Sequence, residues 1–283
     1  MSDTPPAVLL PLDIYELIID SLAEDDEAPT TIRVCSFVCR AFLPLTRKHI
    51  FASIVISNPF VTYTGNTEDP PLSRKDAFVT LIGRNPEIGE YVRKFEYCIA
   101  KDDHIMFSMP NILGRLTKLT SLSIWHYSKD KLAWKAQKWS TMRPALLRLM
   151  QLPSLTSLKL HWIEDFPLSD LIHSSSLKNL TIQYTDFAED IVPPSTAPFP
   201  RKSIYLHEYD AGLECASATW KLAEAHRPDG LPIVDFTELV KVTANCFIQE
   251  DLDAIQTIFI RTNLLQNINL TSKPPPLICK EHC

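Results

Sequence analysis

The string L-x-x-L-x-L recurs along most of this chain, and no other feature restricts its fold so strongly. Leu119-Leu122-Ile124 lies in LTKLTSLSI, Leu155-Leu158-Leu160 in LPSLTSLKL, Leu177-Leu180-Ile182 in SSLKNLTI and Leu265-Ile268-Leu270 in LLQNINL. Weaker copies are Val92-Phe95-Tyr97, Leu239-Val242-Ala244, Phe51-Ile54-Ile56 and the pair Ile204-Leu206. The last two apolar residues of each copy alternate as in a short strand with one buried face. The leading residue closes the turn before it. One such unit cannot enclose its own apolar face, whereas stacked units share a continuous core. First-position spacings are 27 (92 to 119), 36 (119 to 155), 22 (155 to 177) and 26 (239 to 265), so the long step implies an insertion. Helical patterning fills Met142–Leu152, Leu213–His226 and Gln249–Thr262; in the last, Leu252, Ile255 and Phe259 share a face. The expected class is α/β, with short parallel strands alternating with helices. An α+β domain whose strands happen to carry leucines is the competing reading.

Composition removes several function classes. Among 283 residues there are 22 prolines and only 6 glycines. No two glycines lie two apart and none precedes a lysine, so neither G-x-G-x-x-G nor a Walker-type loop can form. The net charge of −6 argues against nucleic acid as a partner. No apolar run approaches the roughly 18 residues of a membrane helix, so no membrane partner is expected. No basic leader opens the chain, and its seven cysteines are an odd set. Free thiols in a reducing compartment, cytoplasmic and/or nuclear, are the expectation.

The N-terminal stretch reads as helices. After Leu10-Pro11, apolar residues fall at Ile14, Leu17, Ile18 and Leu22. A second helical pattern runs Ile32, Cys35, Phe37, Val38 and Phe42, stopping near Pro44. Between them lies a long acidic loop, Ala23 to Thr31. Residues 57–72 carry three prolines and Gly65-Asn66, which marks a linker, and a short helix is expected from Ser73 to Arg84.

Residues 8–56 resemble the F-box. Leu10-Pro11, the spaced apolar helix and Cys35-Ser36-Phe37-Val38-Cys39-Arg40-Ala41-Phe42 carry that resemblance, with Phe42 where the family commonly has tryptophan. Residues 91–283 resemble leucine-rich repeat proteins, and 57–90 connect the two as linker plus short helix. The asparagine usual three residues after the repeat is replaced by Tyr127, Ile163 and Thr185. The asparagine ladder is therefore missing, and an irregular, short solenoid is expected.

Together these resemblances imply a non-enzymatic substrate-recognition subunit of an SCF-type ubiquitin ligase. It would dock the Skp adaptor of a cullin-based ligase and capture a protein substrate whose identity the residues do not name. The adaptor contacts they imply are Leu10, Pro11, Ile14, Leu17, Ile18, Val38, Cys39 and Phe42. A repeat-based binding scaffold without a ligase role is the alternative.

Substrate-contact candidates come from two places. The insertion Ser128–Arg143 gathers lysines around Trp134 and Trp139, and such rings either anchor a partner or pack over the core. Residues just after the strands include Tyr127, Trp162, Tyr184 and Tyr209. No H-E-x-x-H or G-x-S-x-G is present. Cys279, His282 and Cys283 offer three ligands where zinc needs about four. No catalytic residue, metal site or cofactor is expected. A small hydrolase, the rival from another class, would need a clustered nucleophile and base.

Overall fold

A computed structural model describes residues 11–24, 28–56, 74–100, 108–126, 131–188 and 202–272. Three helices come first: α1 (Leu12–Leu22), α2 (Ala28–Val38) and α3 (Phe42–Ile50). β1 (Ser53–Ile56), α4 (Arg74–Arg84), β2 (Lys94–Ile99), α5 (Met109–Leu113) and β3 (Ser121–His126) follow. Next are β4 (Leu132–Ala133), α6 (Met142–Met150), β5 (Ser157–His161), β6 (Ile163–Glu164) and β7 (Asn179–Gln183). The chain continues through β8 (Ile204–Tyr205), β9 (Glu208–Ala211), α7 (Ala216–Glu224) and β10 (Val234–Asp235). It closes with β11 (Lys241–Asn245), α8 (Gln249–Phe259) and β12 (Asn267–Thr271).

The fold is α/β around one parallel sheet of eight strands, ordered β1-β2-β3-β5-β7-β9-β11-β12, so each new strand lies beside the last. Its register repeats the sequence pattern. Ile54, Phe95, Leu122, Leu158, Leu180, Tyr209, Val242 and Ile268 are aligned across the sheet. A second row, two residues on, runs from Ile56 and Tyr97 to Ala244 and Leu270. Between the ends these residues are buried in one continuous core. The short pairs β4–β6 and β8–β10, both parallel, form beside the main sheet.

Four expectations need correction. Helix α2 begins at Ala28, so the loop after α1 does not extend to Thr31. Ile204-Leu206 is not the main-sheet strand of its unit. That strand is β9, and Leu206 is the leading residue before Tyr209 and Ala211. Pro44 does not end a helix; it sits in the first turn of α3, where a missing N–H costs nothing. Leu252 is also exposed, while Ala254, Ile255 and Ile258 form the buried face of α8.

In place of a regular side-chain ladder, successive units use different groups. The Thr185 hydroxyl donates to Leu160 O at 3.2 Å. The Cys215 thiol bonds Ile182 O at 3.3 Å, and His126 Nδ1 lies 2.7 Å from Ile99 O. Each group ties its turn to a carbonyl of the preceding strand. Ile163 fills its corresponding position with buried apolar bulk instead.

The first three helices form a separate small core. Its buried apolar residues are Ile19, Ile32 and Leu45, with Tyr15, Leu22, Cys35, Phe42 and Ile50 packed around them and Thr46 buried beside Leu45. Lys48 clamps α3 to α1 through Glu16 and Asp20, both at 2.7 Å, and His49 Nε2 lies 2.7 Å from Asp20. The Lys48 ammonium holds the Asp20 carboxyl below its ordinary range against the opposing effect of burial. The Arg93 and Lys94 N–H groups both donate to Ala52 O at 2.8 Å, joining the helical unit to β2.

Candidate protein-docking surfaces

Helix α1 divides its apolar residues between two faces. Ile19 points into the helical core, whereas Leu12, Ile14, Leu17 and Ile18 are exposed, Leu17 to 64%. Residues 14, 17 and 18 have i, i+3, i+4 spacing and therefore make one stripe. Helix α2 repeats the arrangement. Ile32 is buried, while Val34, Phe37 and Val38 form an outward stripe at the same spacing, Phe37 at 88% and Val38 at 65% exposure. The segment thus sets seven exposed large apolar residues against three buried ones. Contiguous apolar surface of that kind marks an interaction site.

The residues expected to contact an adaptor are distributed as follows. Pro11, Ile14, Leu17, Ile18, Val38 and Cys39 are exposed; Leu10 lies outside the described residues. Phe42 differs: its ring packs edge-on against Tyr15 at 5.2 Å and belongs to the helical core. Val34 and Phe37 were missing from the expected set, although helical periodicity around buried Ile32 places both on the outer face.

The second surface lies at the ends of the sheet strands. Trp162 and Tyr184 follow β5 and β7 directly, and both adopt positive φ, 61° and 48°. This region disfavours bulky residues by roughly 1–2 kcal/mol. Main-chain bonds hold them there: Trp162 N–H to Gln183 O at 3.0 Å, Tyr184 N–H to Leu213 O at 2.7 Å, and Leu132 N–H to Trp162 O at 2.9 Å. The two rings lie 4.7 Å apart at a tilt of 31°, and His161 lies 5.7 Å from Tyr184. Burial pushes the Tyr184 phenol up, helped by Glu214. Beside this cluster, Asp210 occupies the outward row of the sheet; burial raises its carboxyl, with Lys159 and Lys241 opposing.

Burial also pushes the His161 imidazole below its ordinary value of 6.5, so it folds neutral. As pH falls, the unfolded chain takes up that proton first, and stability rises with pH in this range. The His161 contribution is therefore complete above 6.5 and lost below it. Denaturant midpoints measured against pH should show this slope in the wild type and a shallower one in His161→Gln.

Trp134 and Trp139 do not belong to any contact surface. They are 2% and 3% exposed and lie within the main core. Trp134 packs on Phe166 at 5.0 Å, and its Nε1 donates to Asp170 Oδ2 at 2.9 Å. The basic character of this insertion is also reduced by pairing. Arg143 holds Asp170 through both terminal oxygens, at 3.0 and 3.2 Å, and Lys131 pairs with Glu214 at 3.5 Å. Asp170→Ala would strand the Arg143 guanidinium and the indole N–H together. Removing such charged hydrogen bonds costs about 2–3 kcal/mol, which should appear as a lowered urea midpoint. Tyr209, another contact candidate, is buried, with its hydroxyl 2.7 Å from Thr219. Tyr127 lies outside the described residues, as do Cys279, His282 and Cys283.

Among the described residues no group of three or more His, Cys, Asp or Glu side chains is placed to hold a metal. Burial raises the Cys215 thiol to about 12, which keeps it protonated. A cleft of about 490 Å³ lies where the helical unit meets the sheet, lined by Asp20, Glu24, Lys48, His49, Tyr91 and Arg93. Among the described residues no helix is long and apolar enough to cross a membrane. In comparisons with known proteins, no family model matches the chain and no curated protein matches it significantly.

Proposed function

We propose that this chain is a substrate-recognition subunit of an SCF-type ubiquitin ligase. In this reading the N-terminal helices are an F-box that docks a Skp adaptor. The parallel stack is an irregular leucine-rich-repeat-like solenoid that binds a protein substrate, and other subunits carry out the ubiquitin chemistry. One observation carries the proposal: α1 and α2 expose apolar stripes of seven large residues while each buries a single apolar side chain, Ile19 and Ile32. A segment with so small a core is stabilised by a partner that covers those stripes. The motif Leu-Pro, apolar helix, Phe-Val-Cys-Arg-x-Phe supports an F-box as that segment. The strand-end cluster of Trp162 and Tyr184 supports substrate capture on the sheet side, since rigid aromatic rings make effective interface anchors.

Co-expression with the Skp adaptor tests the reading. Wild type should co-purify with it, and Leu10→Ala/Pro11→Ala/Ile14→Ala should not. If neither form co-purifies, the ligase role is wrong. A solenoid scaffold without that role would then be favoured, a reading motivated by Phe42, whose ring packs inward on Tyr15.

A further inference from the structure

The two ends of the parallel sheet are finished differently. Within the stack each strand shields the inward residues of its neighbour, and Leu158, Leu160, Val242 and Ala244 are all buried. At the first edge, Ile56 of β1 is likewise buried, and α4 packs in the same core. At the last edge the aligned residues Ile268 and Leu270 stand 56% and 44% exposed. Ile260 and Leu264, in the segment that leads into β12, are exposed as well.

Edges of this kind are normally protected by charge, proline, a bulge or a covering element. β12 reads Asn-Ile-Asn-Leu-Thr and carries no charge and no proline. Among the described residues no strand pairs with its outer side. Asn267 N–H donates inward to Val240 O at 3.0 Å. Alternation along a parallel ladder therefore turns the N–H and C=O groups of Ile268 and Leu270 outward.

The strand is also self-complementary. An antiparallel copy related by a two-fold axis through Asn269 sets Ile268 opposite Leu270 of the second molecule, and Leu270 opposite its Ile268. Each such pair exchanges two main-chain hydrogen bonds. Asn269 then faces Asn269 at the close, non-hydrogen-bonded position, where two side-chain amides can bond each other. No like charges meet across the axis. Head-to-tail addition would instead need β1, whose inward Ile56 is already covered and offers Ile268 and Leu270 no apolar partner.

We propose that β12 is a self-association edge at which a second copy of this chain adds its own β12 antiparallel about Asn269. The surface is separate from the N-terminal stripes, so the proposal stands or falls independently of adaptor docking.

Sedimentation of the full chain over a concentration series tests it. The mass should rise from 32.1 kDa towards twice that value. Ile268→Lys, at an exposed position, should keep the wild-type circular dichroism spectrum and lose the dimer. Asn269→Cys should give a disulfide-linked dimer under mild oxidation, whereas Asn267→Cys should not. A single-chain mass at every concentration overturns the proposal. So does a dimer that survives Ile268→Lys. A dimer that appears only after deletion of residues 273–283 assigns the edge to the chain's own C-terminal residues and also overturns it.

Discussion

Leu17→Asp combined with Val38→Asp should abolish binding to the Skp adaptor while leaving the protein folded. Both side chains stand in solvent on the outer faces of α1 and α2, so the free chain gains no buried charge. In the proposed complex each is a desolvated anchor worth about 2 kcal/mol or more. Losing two such anchors weakens affinity by roughly 1,000-fold, at about 1.4 kcal/mol per factor of ten. Titration calorimetry or a pull-down at fixed adaptor concentration would read the change, with the melting curve as the control for folding. Ile19→Ala makes the useful contrast. It removes one of the three buried apolar residues in the helical core and should loosen the segment itself, lowering binding and helicity together. Equal binding by wild type and the double aspartate variant would remove adaptor docking from these faces.

The largest effect on stability is expected at Leu158. It lies in the middle of the sheet, aligned with Leu122 on one side and Leu180 on the other, and is fully buried. Leu158→Ala leaves a cavity that neighbouring strands cannot close, because their spacing is set by the ladder. Such substitutions cost about 2–5 kcal/mol. For a chain of this size that lowers the melting temperature by about 5–15 °C. Val55→Ala, on the exposed side of β1, should change stability by less than about 0.5 kcal/mol. Similar losses at both positions would mean that the apolar rows do not form the core.

Much of the sheet is legible in the leucines. Leu122, Leu158, Leu180 and Ile268 mark four strands whose register the structure repeats. β9 escapes because Tyr209 and Ala211 fill its inward positions, so the pattern has the right period but not the expected residues. The Trp134 region misleads for a different reason. Its lysines and arginine suggest a solvent-facing patch, yet Asp170 and Glu214, which pair with Arg143 and Lys131, lie far along the chain. Local reading registers a charge but not a distant counter-charge. At α2 the signal was present. Val34 and Phe37 follow the helical period around Ile32, but a motif-led search gives most weight to Val38 and Cys39.

The left-handed corners at Trp162 and Tyr184 bear on how this chain tolerates sequence change. Glycine adopts that backbone without steric penalty, though it would forfeit the contact between the two rings. The chain has only six glycines and places none at these two corners. An indole and a phenol ring stand instead at positions where backbone sterics alone would favour the smallest residue. Mutational drift towards glycine or asparagine would therefore relax the backbone at these corners while stripping the strand ends of their aromatic rings, so local strain and aromatic surface are exchanged one for the other.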